Sequence, residues 1–574
     1  MQYFCLKLSS YYMKRQDESI PLAPSLTPIQ KKKGLPVSGK VDKRVLYLAI
    51  QAIINALVIG VIAKGLVYLI EIITNLAFYG RFSWEPASPA HNTLGWAVVA
   101  VPVVGSLLVG LIARFGSKAV RGHGIPEAME KIILDESKIP PLITLLKPLS
   151  AAISIGTGGP FGAEGPIIAT GGAFGSFTGQ IMHITPTERK IMLSAGACAG
   201  MAAIFGSPLA AVLLAIELLL FEFSARSIIP VALSCITGAG MHLWLFGSAP
   251  VFAMGNIPMP GDGALMVYIG MGLLIGIVAS LVSKSVYLVE DLFEKLPIHW
   301  MWWPAIGAVV VGVTGYFAPF TMGVGYENIQ ELLGGHLPLA MLLSLCFLKY
   351  ISWVISLGSG TSGGTLAPLF TIGGALGALM GMVLLKFFPG SGITMATAAL
   401  VGMAAMFAGA SRALLTSIVF ALETTGQPNG LLPLLCACIA AYFVSFFLMK
   451  GTIMTEKIRR RGINTPDAYE SDLLTHTTVK EVMVPATDLA EGKPAVSEND
   501  DLSICVQLMG RYSVPALSVM EDGAAGNVKG MVTAQDIMHY YSEQKSADQR
   551  FDAPVRTKRL LVRTRKIIYP KSKS

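Results

Sequence analysis

The sequence predicts an all-α polytopic membrane protein, built from two repeats of broken helices and followed by a small α/β domain. Of its 574 residues, 53% are hydrophobic and only 14% are charged, against about 25% charged residues in soluble domains. Three long runs, 227–261, 350–385 and 424–449, contain no Asp, Glu, Lys or Arg. Because about 20 apolar residues span a bilayer as a helix, these runs predict transmembrane segments.

Glycine interrupts many of the apolar segments, and the chain contains 60 glycines. Most of them are expected to let helices pack closely. Non-helical backbone at membrane depth is tolerated only where it is buried in protein or lines a cavity, and transporters bind ions at such broken helices. Three glycine clusters, at 122–126, 162–166 and 364–368, are therefore predicted to form a site rather than a packing surface.

Positive charge is concentrated at the two ends of the apolar region. Six lysines and arginines lie between 31 and 44, four lie between 457 and 461, and the net charge is +8. The positive-inside rule places both flanks in the cytoplasm of a multi-pass cell-membrane protein that contacts membrane lipid. Basic patches interleaved with aromatic residues are lacking, which argues against nucleic acid. The seven cysteines show no CxxC spacing and are interpreted as small core residues, not disulfides or metal ligands.

Composition divides the chain into four parts. The apolar region ends near residue 461, a polar stretch with short alternating patterns follows, and the last residues are strongly basic and expected to be disordered or surface-bound. The predicted parts are a cytoplasmic tail at 1–40, a transmembrane domain at 41–461 with repeats at about 45–250 and 251–460, a cytoplasmic domain at 462–545, and a basic tail at 546–574.

The apolar region repeats internally. The segment GTGGPFGAEGPII at 156–168 returns 202 residues later as GSGTSGGTLAPLF at 358–370, with Leu366 where Glu164 stands. Lys147 and Lys349 lie 17 residues before these two positions. A structural or field-setting role fits them, and a direct role in transport is the alternative. Two half-sites would thus share a backbone design while only one carries an acid, as expected for an ion path with a single titratable gate.

The three glycine clusters have the composition of anion-binding helix starts. Helix N-termini present unpaired N–H groups and a partial positive charge, which bind anions without a full cation. Glycine lets the backbone approach the ion, and the proline that ends each cluster suits a first helical turn. With Glu164 as the gate, the candidate anion-binding residues are Gly122, His123, Gly124, Ile125, Pro126, Gly162, Ala163, Gly165, Gly364, Thr365, Leu366 and Ala367.

These clusters resemble the signature motifs of the CLC family of chloride channels and chloride/proton antiporters. The resemblance covers about residues 45–460 and includes GVGYE at 323–327, SRALLT at 411–416 and ETTG at 423–426. It implies two inverted repeats, about 18 helical segments of uneven length, and a homodimer with one pore per subunit. It also implies chloride or a related halide as substrate, a Glu164 carboxylate that competes with chloride, and backbone N–H groups of Thr365 and Leu366 that face the anion.

Four positions depart from the family pattern. His123 stands where serine is common, and its imidazole N–H could donate to the central anion in place of a hydroxyl. Ala163 stands where arginine is common, so the outer vestibule would be less positive. Leu218 occupies the usual place of the inner proton-transfer glutamate. Met454, in a loose alignment, matches the pore-lining tyrosine and joins the candidate anion-binding residues.

Leu218 decides the predicted mode of transport, because leucine cannot carry a proton. Channel-like conduction is therefore slightly favoured over a chloride/proton antiporter with a water-mediated inner proton path. A different class of function, a membrane receptor or scaffold that holds the cytoplasmic domain, would leave the acid at 164 unexplained. A cation or amino-acid transporter would need several intramembrane acids. Without a nucleophile–base pair or a metal-ligating constellation in the sequence, an enzyme is not expected.

The polar stretch after residue 461 resembles a CBS regulatory domain, beginning with TVKEVM at 478–483. A strand is expected at 495–500, a helix at 501–512 and a further strand at 514–520. In KGMVTAQD at 529–536, Thr533 and Asp536 are spaced to hydrogen-bond a ribose, so the resemblance admits an adenine nucleotide as the one possible cofactor. CBS modules normally work in pairs and one is found here, so a purely structural or dimer-stabilising role is an equal alternative.

Overall fold

The computed structural model describes residues 43–551 apart from 388–389, 391, 464–473, 475–476, 486–494 and 521–527. The chain divides into two compact units. The first comprises Met1–Leu213 and Ser224–Met449, and the second comprises Leu214–Phe223 and Lys450–Ser574. The expected tail at 1–40 lies outside the described residues. Of the expected basic tail at 546–574, residues 546–551 continue a helix, and those after Phe551 lie outside the described residues.

The first half of the apolar region forms eight helices of very unequal length. The longest has 37 residues, about 55 Å at 1.5 Å per residue, and exceeds the roughly 30 Å hydrocarbon core. Such a helix must tilt in a bilayer. In chain order the helices are α1 (Lys43–Tyr79), α2 (Ala100–Phe115), α3 (Ile125–Leu134), α4 (Ile143–Gly156), α5 (Glu164–Ile181), α6 (Pro186–Phe205), α7 (Pro208–Leu214), which continues as a π-helical turn at Ala215–Leu220, and α8 (Ala225–Leu245).

The second half repeats this series element for element. A second long helix of 33 residues opens it, and the fourth element is split by a π-helical turn at Ser344–Leu348. The helices are α9 (Asp262–Glu294), α10 (Trp303–Phe317), α11 (Tyr326–Gly334), α12 (Leu339–Leu343) with α13 (Lys349–Gly358), α14 (Leu366–Phe387), α15 (Met395–Ser411), α16 (Leu414–Thr425) and α17 (Leu431–Leu448). The predicted duplication is confirmed.

The helices have the composition of membrane-spanning segments. Eight helical stretches in the described part of the chain are long and apolar enough to cross a bilayer. With the short helix α18 (Glu456–Arg460), 18 α-helical segments lie between Lys43 and Arg460 in that part. The prediction of a polytopic, mostly helical protein with about 18 uneven segments is confirmed.

Glycines bring corresponding helix pairs together in both halves. A Cβ built on Gly171 of α5 would lie 2.9 Å from the carbonyl carbon of Gly196 in α6. A Cβ built on Gly402 of α15 would lie 2.7 Å from the Cα of Gly377 in α14. Real Cβ atoms do not approach so closely, so both crossings require glycine. The expectation that many glycines serve close helix packing holds at these crossings.

The second unit contains a four-stranded sheet in the order β1-β4-β3-β2. Strands β2 and β3 are parallel and the other pairs are antiparallel. Its core includes Val496, Cys505 and Val532, and burial raises the pKa of the Cys505 thiol to about 11, as expected for a core residue. The elements are β1 (Val484–Pro485), β2 (Ala495–Ser497), α19 (Leu502–Tyr512), β3 (Ala516–Met520), β4 (Val528–Thr533) and α20 (Ala534–Phe551). The predicted helix is confirmed, and the two predicted strands form but are shorter than expected, because 498–500 is a turn.

Candidate functional site

Backbone hydrogen bonds join the glycine clusters of the two repeats. The amide of Gly364 donates to the carbonyl oxygen of Gly162 at 3.2 Å. The amide of Gly122 donates to the carbonyl oxygen of Thr361 at 3.0 Å, and the amide of Gly363 donates back to Gly122 at 3.4 Å. Three loops that are far apart in sequence therefore meet, each immediately before the start of α3, α5 or α14.

The loops meet so closely that side chains would not fit between them. Gly124 has a φ of +100°, and a Cβ on it would overlap the carbonyl oxygen of Gly165. A Cβ on Gly165 would lie 2.7 Å from the Cα of Gly364. Glycine supplies both the unusual dihedral angle and the missing side chain. The structure thus brings together the three helix starts that the sequence predicted.

Glu164 begins α5 and points its carboxylate at the start of α14. The side chain is only 1% exposed. Its Oε1 accepts a hydrogen bond from the Ala367 amide at 2.5 Å, and its Oε2 accepts one from the Tyr326 hydroxyl at 3.0 Å. Unpaired amides at a helix start are a ready position for an anion. The carboxylate of Glu164 occupies that position.

Space for this conformation is provided by glycine as well. A Cβ on Gly162 would overlap both carboxylate oxygens of Glu164. A Cβ on Gly364 would lie 3.3 Å from Oε1 of the same side chain and 2.6 Å from the carbonyl oxygen of Gly162. The acid therefore folds back over its own glycine turn and lies against the glycine turn of the other repeat.

Tyr326 is a site residue that the sequence analysis did not identify. It is the first residue of α11, and its ring lies 5.7 Å from the rings of both Phe205 and Phe252. The motif GVGYE contained it, and alignment of the two repeats places Ile125 at the equivalent position of the first half. The sequence offered one indication of this role, because only one of the two equivalent helix starts carries a residue with a hydroxyl group.

The two repeat-related lysines have equivalent contacts. The Nζ of Lys147 donates to the carbonyl oxygens of Val120 at 2.8 Å and of Gly122 at 2.9 Å. The Nζ of Lys349 donates to the carbonyl oxygen of Gly323 at 3.2 Å. Both side chains are fully buried. Each lysine thus binds the glycine loop of its own repeat, as a structural role requires, and the field-setting and direct transport roles stay predictions.

The remaining candidate anion-binding residues of the first unit lie at the same helix starts. All are buried, and the amide found on the Glu164 carboxylate is that of Ala367 rather than those of Thr365 or Leu366. Their roles in anion binding stay predictions. These buried residues are Gly122, His123, Gly124, Ile125, Pro126, Gly162, Ala163, Gly165, Gly364, Thr365 and Leu366.

Met454 and Leu218 belong to the second unit. Met454 is buried, and its amide donates to the Thr452 hydroxyl at 3.1 Å. Leu218 is buried within the π-helical turn that follows α7. The pore-lining role expected of the first and the missing proton transfer expected of the second stay predictions.

A cavity of about 250 Å³ lies beside Glu164, and we call it the gate cavity. It is bordered by the C-terminal part of α1 and by the start of α11. Two acids line it: Glu71, whose carboxylate accepts a hydrogen bond from the Ala87 amide at 2.8 Å, and the exposed Glu327. Ala163 and Tyr326 also line it, so the cavity reaches the residues next to the Glu164 carboxylate.

Thr533 and Asp536 bind each other in the second unit. The Thr533 hydroxyl and amide donate to Oδ2 of Asp536 at 2.7 and 3.0 Å, and the Asp536 amide donates to the Thr533 hydroxyl at 3.1 Å. This reciprocal arrangement caps the start of α20. It gives both residues a structural function, and the adenine nucleotide stays a prediction.

Two known proteins are similar to this chain in sequence. The H(+)/Cl(-) exchange transporter ClcA of Yersinia pestis bv. Antiqua (strain Angola) is 31% identical over 352 residues, which are 59% of this chain and 72% of the relative. A relative from Ralstonia nicotianae (strain ATCC BAA-1114 / GMI1000) carries a chloride channel name, ClcB-like, and is 28% identical over 378 residues, 64% of this chain and 87% of the relative.

A solved structure has the same fold. The crystal structure of a slow cyanobacterial Cl-/H+ antiporter superposes with a TM-score of 0.65 at 24% identity, covering 72% of this chain and 97% of the other. The family described as voltage gated chloride channel matches residues 104–446, which include the three converging helix starts, Glu164 and Tyr326. The chain belongs to the voltage gated chloride channel (CLC) family.

Proposed function

We propose that this protein transports chloride and that the Glu164 carboxylate closes the anion path. Membership in the family supports anion transport as the general function of the protein. The single observation that carries the finer proposal is the hydrogen bond from the Ala367 amide to Glu164 at 2.5 Å. A carboxylate that uses the amides of a helix start occupies the place that a chloride ion would take.

The gate operates through the charge of the acid. The ionised carboxylate is attracted by the amides and by the partial positive charge of the α14 start. Protonation removes that charge, so Glu164 leaves and chloride takes its place. Backbone amides carry only partial positive charge, so they bind the ion less tightly than a lysine or arginine side chain would. The ion can therefore leave the site quickly. The same proposal includes a homodimer with one path per subunit, as the family resemblance implies.

The gate cavity is proposed to open to the outside of the cell. Glu71 lies 28 residues after Lys43 on α1, a distance of about 42 Å along the helix. Lys43 and Arg44 at the start of α1 favour the cytoplasmic side. The cavity is therefore at the opposite end, where external protons reach Glu164.

Two modes of transport are compatible with this gate. The ClcA relative is named as an H(+)/Cl(-) exchange transporter and the cyanobacterial structure as an antiporter, which favours chloride/proton exchange. Leu218 favours passive conduction, because it offers no side chain for the inner proton step. The names of the relatives do not support the preference for a channel, and we propose exchange with conduction as the second candidate.

The test of the gate is Glu164→Gln in proteoliposomes. Wild-type chloride flux should increase as external pH falls, while the variant should conduct at all pH values and lose proton coupling. Glu327→Gln is the matched control, since it removes a neighbouring acid of the gate cavity and should keep the pH response. Retained pH gating in a folded Glu164→Gln protein would falsify the assignment and direct attention to His123, the buried imidazole at the start of α3.

The mode is decided by the reversal potential under opposed chloride and proton gradients. A potential that changes with the pH gradient indicates exchange. A potential that follows chloride alone indicates conduction and would support the prediction from Leu218.

A further inference from the structure

We infer that Tyr326 is a positioning residue that holds the ionised Glu164 carboxylate in the closed position. The inference rests on the proposed function of Glu164 as the gate. The Tyr326 hydroxyl donates a hydrogen bond to Oε2 of the Glu164 carboxylate at 3.0 Å. Ile125, which has no hydroxyl, stands at the equivalent position of the first repeat.

The two donors on Glu164 differ in what they can stabilise. The Ala367 amide belongs to a helix start and is equally available to a chloride ion, so it does not distinguish the closed gate from the occupied site. The Tyr326 hydroxyl reaches the second oxygen of the carboxylate. A spherical ion at the Ala367 amide has no second oxygen to offer. The tyrosine thus stabilises the closed state more than the ion-bound state.

The tyrosine ring is held in place from several sides. It packs against Phe205 and Phe252, each 5.7 Å away between ring centroids. The preceding Gly325 has a φ of +74°, and Lys349 binds the carbonyl oxygen of Gly323 in the same loop. A hydroxyl on a ring with few rotatable bonds, in a fixed loop, loses little entropy when it donates.

Other charged groups surround this contact without replacing it. Lys349 lies across the Gly323–Gly325 loop, where its Nζ donates to the carbonyl oxygen of Gly323. Glu71 accepts from the Ala87 amide, and Glu327 is exposed in the gate cavity. Removal of the tyrosine hydroxyl leaves all three in place, so a change in gating can be assigned to the lost hydrogen bond.

The pairing also combines one residue from each repeat. Glu164 has Leu366 as its counterpart, and Tyr326 has Ile125 as its counterpart. The duplicated backbone brings the two unmatched polar residues together at the interface between the halves. An acid and its donor, each present in only one repeat, are expected where the two halves have diverged to control a shared path.

The test is Tyr326→Phe in the full chain, with chloride flux measured in proteoliposomes as a function of external pH. Loss of a hydrogen bond to a charged group weakens the closed state, so the variant should open at higher pH. We expect the pH of half-maximal flux to rise by about one unit, a tenfold change in the closed-to-open ratio at fixed pH. Tyr268→Phe is the matched control, because it removes another buried hydroxyl that binds a side chain, that of Thr397, and should leave the profile unchanged.

A second pair of variants distinguishes a positioning role of Tyr326 from a role in stabilising the fold. Glu164→Gln and Glu164→Gln/Tyr326→Phe should conduct equally, because the tyrosine acts only through the ionised gate. A wild-type protein with pH-dependent flux and an unshifted Tyr326→Phe profile would overturn the inference while leaving the gate intact. A double variant that conducts tenfold less than Glu164→Gln would also overturn it, since the tyrosine would then support the fold. Lack of any wild-type chloride flux would instead refute the proposed function.

Discussion

The Glu164 carboxylate is stabilised in an apolar setting by donors placed within hydrogen-bond distance. Burying an ionised acid is costly unless it is hydrogen-bonded or paired. The Ala367 amide and the Tyr326 hydroxyl supply those bonds, and the α14 start adds its partial charge. Since each of these interactions weakens when the acid is protonated, the same contacts that hold the carboxylate at the α14 start make its position depend on its charge.

Gly364 is the residue whose side-chain volume should matter most for the anion. A Cβ there would lie 2.6 Å from the carbonyl oxygen of Gly162 and 3.3 Å from Oε1 of Glu164. We expect Gly364→Val to reduce chloride flux at least about tenfold, because its methyl groups would fill the ion position. Flux and chloride binding by calorimetry are the measurements.

Gly270 provides the control for this substitution. A Cβ on Gly270, in α9, meets no atom within 4 Å, so Gly270→Ala should transport at the wild-type rate. Full chloride flux in a correctly folded Gly364→Val protein would show that the anion does not pass this turn.

The sequence predicted the acid of the site but not its donor. Glu164 and its glycine turn are adjacent in sequence, so a local motif contains both. Tyr326 lies 162 positions away, and only the packing of one repeat on the other brings it to the carboxylate. The choice of the Ala367 amide over those of Thr365 and Leu366 also depends on that packing, which no spacing along the chain encodes.

At the scale of helices, one acid connects three helix starts. Glu188 in α6 is 1% exposed and accepts hydrogen bonds from Arg44 at the start of α1, at 2.7 and 2.8 Å, and from Arg226 at the start of α8, at 3.0 Å. It also accepts from the Thr185 amide and so closes a capping box. The start of α6 is therefore fixed by both local and long-range contacts.

Glu188→Gln should destabilise the protein. Loss of charge-assisted hydrogen bonds at a buried acid costs about 1–3 kcal/mol, reduced here because both arginines are about half exposed. A melting temperature lower by a few degrees in detergent is the expected result. Glu136→Gln is the control, since the Glu136 side chain is 57% exposed and lies 3.6 Å from the Arg189 guanidinium, and its melting temperature should not change. Equal melting temperatures for the two variants would contradict the role given to Glu188.

Helix boundaries were predictable where a residue type enforces them. Proline and glycine mark the starts of α3, α5 and α14, and the cap Thr185 marks α6. The π-helical turns at Ala215–Leu220 and Ser344–Leu348 were not predicted. Each contains a single polar residue, Glu217 or Ser344, in an otherwise apolar stretch, so one extra residue per turn disturbs no visible periodic pattern.

The whole first unit consists of two copies of one series of helices that differ at a few decisive positions. Helices α1 to α8 correspond to α9 to α17, and Lys147 and Lys349 keep equivalent contacts with their glycine loops. Duplication therefore maintains the scaffold. The acid at 164 and the tyrosine at 326 have the apolar counterparts Leu366 and Ile125, so the two copies differ in chemistry at the residues that meet in the site.

The contacts that define the site lie within the first unit, and this predicts the effect of removing the C-terminal domain. Glu164, Tyr326, Ala367 and the bonded glycine loops all fall between Lys43 and Met449. The sheet of the second unit has its own hydrophobic core.

A chain ending after Gly462, which keeps α18 and Met454, should therefore fold and transport chloride within a few-fold of the full-length rate. Proteoliposome flux, with size-exclusion chromatography to establish the dimer, is the measurement. If the C-terminal domain binds nucleotide, addition of ATP should change the chloride flux of the full-length protein and leave that of the truncated chain unchanged. A stable, dimeric truncated chain without chloride flux would mean that the transport unit extends beyond residue 462.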